Sequence, residues 1–406
     1  MVRVFVFIFS AIIAFDKYHM LEDKTISQKR GIIYVLGFLF TLSYAIPTYI
    51  NSSFLASFLP DNLIGVVYTA SSLVALALFI KMPIILRKVG NLRISLILLA
   101  LGFVSLVGLV SGLGVLFILA SFILNFVVVA LVNFCMDIFL ESFSLDSKTG
   151  GIRGTYLASN ALAWLLAPLI ASFVLQKDMF VNVYITSLIL LIPVVWLIIT
   201  QLRDFKDPVY NQITFWISVG NLMENKNIKG ILFAQILLQF FYAWMVIYTP
   251  LYLHEHVGFE WSTIGFILSF MLVPFVLFGA WFGRLADIHG EKVILSTGFI
   301  IMGVSTIIMG IITNGNPFVW AGVLFLTRIG AAMTETMIGT YFFKHVDASK
   351  SHLIIFTHMT RPFAYVLGPV VATILFLVID MKGLFIFLGF LMFYGLRYSL
   401  SIRDTV

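Results

Sequence analysis

The chain has 406 residues, 61% of them hydrophobic and 11% charged, with a formal net charge of +6. A soluble domain carries about 25% charged residues, so this composition excludes one. Apolar runs of about 20 residues recur along the chain and signal membrane-spanning helices, not the ~10-residue alternation of a membrane β-barrel. The basic residues form no patch, which excludes a nucleic-acid partner, and the single cysteine, Cys135, excludes a disulfide framework.

In chain order, residues 2–15 are apolar but too short to span comfortably, and they lack the small-residue cleavage site of a signal peptide. We read residues 1–19 as an extension upstream of a start at Met20, with an interfacial helix as the alternative. Twelve spans are predicted after that, at about 31–58, 63–86, 92–112, 114–140, 153–175, 179–200, 230–254, 262–284, 292–312, 317–343, 352–378 and 383–399. The expected fold is thus an all-α polytopic membrane protein. Its predicted parts are a first bundle over 20–201, a polar linker with Pro208 over 202–229, and a second bundle over 230–406.

Charge sets the expected orientation. With residue 30 on the cytoplasmic side, Arg87, Lys88, Arg93, Arg203, Lys206, Lys226, Lys229, Arg284, Lys292 and Arg397 all fall at the inner surface, whereas the outer segments hold only Lys177 and Lys382 among the basic residues. The positive-inside rule then places both termini and the linker in the cytoplasm of a cell membrane. Lys81 snorkels to the same surface.

Residues 283–292 read Gly-Arg-Leu-Ala-Asp-Ile-His-Gly-Glu-Lys between two apolar stretches. Gly283, Leu285, Asp287, Gly290 and Lys292 match G-x-L-x-D-x-x-G-x-[RK], with Arg284 as a further cation. The glycines permit a tight turn, and Asp287 can accept from backbone N–H groups at a helix start. The pattern resembles the cytoplasmic-loop motif of the major facilitator superfamily, and it lies between the eighth and ninth spans, where that family carries it. The resemblance implies two pseudo-symmetric six-helix bundles that rock about a midplane site, with spans one, four, seven and ten lining the path. It also implies that Asp287 supports the inner gate, near the start of span five.

Internal repetition agrees with this. Ile64-Gly65 precedes Gly90 as Ile264-Gly265 precedes Gly290, and Asn160 precedes Pro168 as Arg361 precedes Pro369, with an offset of about 200 residues between halves. The first-half loop departs from the motif, with Arg87 at the aspartate position. Span five carries Ala163, Ala167-Pro168 and Ala171, similar to an element associated with antiporters but with alanine for glycine; span eleven repeats it at Ala364, Gly368-Pro369 and Ala372. We read the element as a packing and bending device or as a weak pointer to antiport.

Charged residues inside a bilayer are costly and are read first as functional. Arg328 lies near the midplane of span ten, and Glu335 follows seven residues later on the same face, about 10 Å along the axis. Arg361 lies mid-span in span eleven with His358 and Tyr365 on its face; Asp137 and Glu141 lie toward the inner end of span four. Glu335 is the expected coupling carboxylate, since a carboxyl that alternates between dry and wet surroundings can take up and release a proton. Pairing with Arg361 in a fixed buried network is the alternative for Glu335. Arg328 would hold an anionic part of the substrate or neutralise Glu335. Polar stripes mark a wet cavity: Thr41, Tyr44, Thr48 and Asn51 in span one, Gln235, Gln239 and Tyr242 in span seven, Asn125 and Asn133 in span four, and Tyr156, Asn160 and Trp164 in span five.

No metal-ligand cluster and no phosphate-cradling loop is visible, so neither an enzyme, a metal, a cofactor nor ATP-driven transport is expected. The partners expected are membrane lipids, a small-molecule substrate and protons or another coupling ion, with the chain monomeric. The reading is a proton-coupled secondary transporter of an organic small molecule, with a slight preference for efflux. Uptake or exchange of an organic anion is the alternative, and a non-transporting sensor or assembly factor the third.

Overall fold

The computed structural model describes residues 24–143, 149–175, 179–207, 220, 226–313, 315–345 and 351–402, with some side chains near helix ends left out, among them Gly283, Arg284, Asp287 and His358. The stretch 1–19 and most of the 202–229 linker lie outside the described residues. Twelve long helices fill the described chain: α1 Lys24–Thr48, α2 Asp61–Val89, α3 Asn91–Val110, α4 Val115–Ser142, α5 Thr149–Val174, α6 Phe180–Gln201, α7 Lys226–Leu251, α8 Trp261–His289, α9 Glu291–Ile311, α10 Pro317–His345, α11 Ser351–Leu375 and α12 Met381–Ser399. Eleven of them are long and apolar enough to cross a membrane, and α11 contributes the shorter apolar stretch Met359–Leu375.

The helices match the predicted spans closely, because in hydrocarbon only a helix satisfies every backbone group internally. The first span is the exception. It was expected to run to residue 58 with Pro47 able to bend it, but α1 stops at Thr48, turns at Tyr49–Ile50 and resumes as a short helix, Asn51–Ala56. Pro47 has no N–H to continue the ladder, and Ile50 N–H instead donates to Pro47 O at 2.9 Å. The restarted turn is pinned where Tyr184 Oη donates to Asn51 Oδ1 at 2.8 Å.

The main packing contacts of one bundle recur in the other. Helix α1 packs on α4, α5 and α6 as α7 packs on α10, α11 and α12. Likewise α3 packs on α4 and α6 as α9 packs on α10 and α12, and α2 packs on α4 as α8 packs on α10. Between bundles the contacts cross: α5 meets α8, and α2 meets α11. Close approach in the second bundle depends on missing side chains, since a Cβ on Gly330 would lie 2.6 Å from Gly298 O and one on Gly389 2.7 Å from Gly303 O.

Gly90 and Gly290, which share a position in the repeat, both take a positive φ, 84° and 81°. The tight turn expected of each loop is present. In the first half the loop also receives a carboxylate from elsewhere. Asp207, just past α6, accepts from Asn91 N–H at 2.6 Å and so caps the start of α3. Phe205 anchors that segment against Phe139, with ring centroids 4.7 Å apart. A Cβ on Gly90 would collide with the Asp207 carboxylate. Gly90→Ala therefore carries two penalties, an unfavourable φ and displacement of the cap, and should cost about 1–3 kcal/mol. Thermal unfolding of the purified variant in detergent should show a lowered midpoint; an unchanged midpoint would contradict this account of the loop.

Candidate functional site

A cavity of about 350 Å³ lies between the bundles. Four first-half helices contribute to its wall: Tyr44, Thr48 and Asn51 from α1 and its continuation, Tyr68 and Phe79 from α2, Phe122, Asn125, Phe126, Asn133 and Asp137 from α4, and Tyr156 and Asn160 from α5. The second half adds Gln239 from α7, Glu335 from α10, and Thr357, Arg361 and Tyr365 from α11. The polar stripes expected in spans one, four, five and seven thus meet at one space. Helices α2 and α11 line it too, beyond the four spans the resemblance implied.

Tyr242 Oη donates to Glu335 Oε2 at 2.7 Å. The hydrogen bond crosses from α7 to α10 and sets the carboxylate on the cavity wall. Glu335 is accessible, and since it lies deep within α10 that access is to the cavity. The expected alternative partner of Glu335, Arg361, is placed differently. Its guanidinium lies over the Trp164 and Tyr365 rings, 5.8 and 5.9 Å from their centroids, the first across the bundle interface. Arg361 and Glu335 therefore line one cavity with separate partners.

Arg328 is withdrawn from the wall. It is 1% exposed, and its guanidinium lies 5.3 Å from the centroid of Phe241 and 5.4 Å from that of Tyr242. Cation–π contact of this kind partly replaces lost hydration. The seven-residue spacing separates Arg328 and Glu335 by about 10 Å along α10, as expected from sequence, and Tyr242 links them, its hydroxyl on Glu335 and its ring centroid 5.4 Å from the Arg328 guanidinium. In this conformation Glu335 is on the cavity wall and Arg328 is not.

Of the other expected site residues, Gln235 is half-buried on α7 but does not reach the wall, and Glu141 is exposed at the end of α4. The His358 side chain lies outside the described residues, as do those of Gly283, Arg284 and Asp287 in the gating loop. Two wall amides also serve the frame: Asn125 Nδ2 donates to Ser105 Oγ at 3.0 Å, and Asn133 Nδ2 to Val129 O at 2.9 Å. Sequence reasoning missed Tyr68, Phe79, Phe122, Phe126 and Thr357. With 41 phenylalanines and 15 tyrosines in the chain, no single aromatic position carried a signal.

The cavity is sealed at the end distal to the linker. Thr69 Oγ1 donates to Val366 O at 3.4 Å across the interface, and Tyr68 and Tyr365 lie with ring centroids 5.9 Å apart. A Cβ on Gly65 would lie 2.8 Å from Pro369 Cβ, and one on Gly265 would lie 2.8 Å from Pro168 O and collide with Ser172. Each Ile-Gly pair of the repeat thus seats on the proline element of the opposite half. Ala163, Ala167, Ala364 and Ala372 are fully buried beside these contacts.

Comparison with known proteins agrees with the geometry. A match to the Major Facilitator Superfamily spans residues 231–400. Among solved structures, a mutant form of the nucleoside transporter NupG superposes with a TM-score of 0.74 at 15% identity, covering 92% of this chain and 99% of that one. Another NupG structure gives 0.72 at 12% identity, covering 92% and 100%. No curated protein matches by sequence. The sequence match covers most of the second half and the fold match nearly the whole chain, and both agree with the major facilitator resemblance read from the loop motif.

Proposed function

We propose that this transporter couples protons to the movement of a small, polar, uncharged organic solute of the nucleoside class. The observation that carries the proposal is the Tyr242–Glu335 hydrogen bond, which holds a carboxylate on the wall of a cavity shared by both bundles. A carboxylate so placed can exchange its proton with whichever side the cavity faces, and alternating access then moves proton and solute in one cycle. The cavity volume of about 350 Å³ suits a solute of this size. Charge favours a neutral one: the described wall carries two carboxylates, Asp137 and Glu335, against one guanidinium, Arg361. The organic-anion reading counted Arg328 at the site, and Arg328 lies behind the wall. The likeness to the nucleoside transporter NupG supports the choice of class.

The preference for efflux rested on the span-five element and an aromatic-rich cavity, and aromatic walls suit either direction. The element's alanines are taken up in helix packing, so it supports neither direction. Purified protein in liposomes, loaded with unlabelled uridine and given labelled uridine outside, should show counterflow, and an imposed pH gradient should drive net accumulation. Absence of both, with gradients of either sign, would overturn the proposal.

The orientation we propose puts residues 202–229 and both termini in the cytoplasm, from the lysine and arginine bias. The distal seal then faces outward, and the described state is outward-closed. Reporter fusions at residues 215 and 315 should give opposite sidedness; same-side signals would refute the topology.

A further inference from the structure

The cavity wall is chemically divided along its length. Toward the sealed end it presents the rings of Tyr68, Phe126 and Tyr365, with the Arg361 guanidinium one helical turn below Tyr365. Away from that end it presents the carboxylates of Asp137 and Glu335. A guanidinium only donates hydrogen bonds, and an ionised carboxylate only accepts them. The two ends therefore ask for opposite groups on one solute: a planar ring bearing an acceptor at one, hydroxyl donors at the other.

Two observations sharpen the aromatic end. Arg361 lies 5.8 and 5.9 Å from the Trp164 and Tyr365 ring centroids and donates to the Tyr365 hydroxyl, and of its five N–H donors others remain for a ligand. Tyr68, 2% exposed, carries a hydroxyl that has no hydrogen-bond partner among the described residues, though it lines the cavity. A buried hydroxyl left unpaired is unfavourable until a ligand meets it. An aromatic heterocycle would stack on the same faces, and a ring oxygen would take the hydrogen bonds that Arg361 and Tyr68 can give.

We propose that this transporter selects nucleosides whose base carries a ring carbonyl. The base enters the aromatic end with its oxo group on Arg361, and the sugar hydroxyls donate to Asp137 and Glu335. This rests on the nucleoside reading above. Bases that offer only ring nitrogens leave the guanidinium and the Tyr68 hydroxyl poorly satisfied and are disfavoured.

Inosine and purine riboside test this, since they differ only by the ring carbonyl and its N–H. In competition against labelled uridine counterflow, inosine should compete about 10- to 100-fold better than purine riboside, the usual scale for one hydrogen bond to a charged group. Arg361→Gln should abolish the preference for inosine over purine riboside and should slow uridine counterflow too, since uridine also carries ring carbonyls. Asp137→Asn should weaken both equally, because it acts on the sugar. Equal competition by the two nucleosides in the unaltered protein overturns the inference while the nucleoside reading stands. So does an equal loss of both in Arg361→Gln. Counterflow of none of the three nucleosides overturns the inference together with the reading beneath it.

Discussion

Glu335→Gln is expected to abolish pH-driven accumulation while retaining solute exchange, weakened only as far as Asp137→Asn weakens it. The amide is nearly isosteric and keeps a carbonyl oxygen, so it can still accept the Tyr242 Oη hydrogen bond now made at 2.7 Å. What it loses is the proton. A gradient of about two pH units stores about 2.7 kcal/mol per proton, enough for ~100-fold accumulation at one proton per solute. In the variant the accumulation ratio should fall to about 1 at the same gradient. Exchange needs only binding and rocking, and both survive. Arg328 should make the unaltered site tolerant of an ionised Glu335, because its guanidinium lies 5.4 Å from the centroid of the Tyr242 ring that binds the carboxylate. Gradient-driven uptake by Glu335→Gln at the normal level would remove Glu335 from coupling and pass the role to Asp137, Glu141 or His358.

The second large effect is mechanical. Gly265→Val places a branched side chain against Ser172 and against Pro168 O, which a Cβ would meet at 2.8 Å. Helix α5 cannot yield cheaply there, since Ala167 and Ala171 are buried on the same face. Overpacking of this kind costs about 1–3 kcal/mol, and here the cost falls only on the conformation in which α8 and α5 close. The equilibrium should shift by about 5- to 100-fold away from the sealed state, with transport slowed to match. Thr69, which bonds across the seal to Val366 O, offers a reporter. The native Cys135 is fully buried and gives little background. A Thr69→Cys probe should react with a membrane-impermeant thiol reagent faster in the Gly265→Val background. Normal transport with an unlabelled probe would show that the Gly265 contact does not gate. Gly65→Val, which meets Pro369 in the mirror contact, should behave the same way.

The pairing of these glycines shows what could be read in advance. The Ile-Gly pairs and the proline elements were each visible in sequence as repeats from one half to the other, with no sign that the two kinds meet. Only the folded chain seats Gly65 on Pro369 and Gly265 on Pro168, each half closing on the other's element. The Asp207 cap is a similar case. Arg87 at the aspartate position of the first loop announced a missing carboxylate, and nothing in the spacing pointed to a residue more than a hundred positions later.

The twelve spans, the turns at Gly90 and Gly290 and the duplication of the bundle were determined by the sequence alone. The physical reason is that hydrocarbon demands a continuous apolar helix of about 20 residues, and a one-dimensional record of hydropathy reports that demand directly. The partners of Glu335, Arg328 and Arg361 were decided by tertiary structure. In a chain this apolar and this rich in aromatic residues, the face a helix turns inward leaves little periodic trace, and charge alone suggested Arg361 as the partner of Glu335. Helix rotation and crossing instead brought Tyr242 to Glu335, drew Arg328 behind two rings and laid Arg361 over Trp164. Those contacts, made between helices far apart in sequence, turn scattered polar positions into a cavity with an aromatic end and an acidic one.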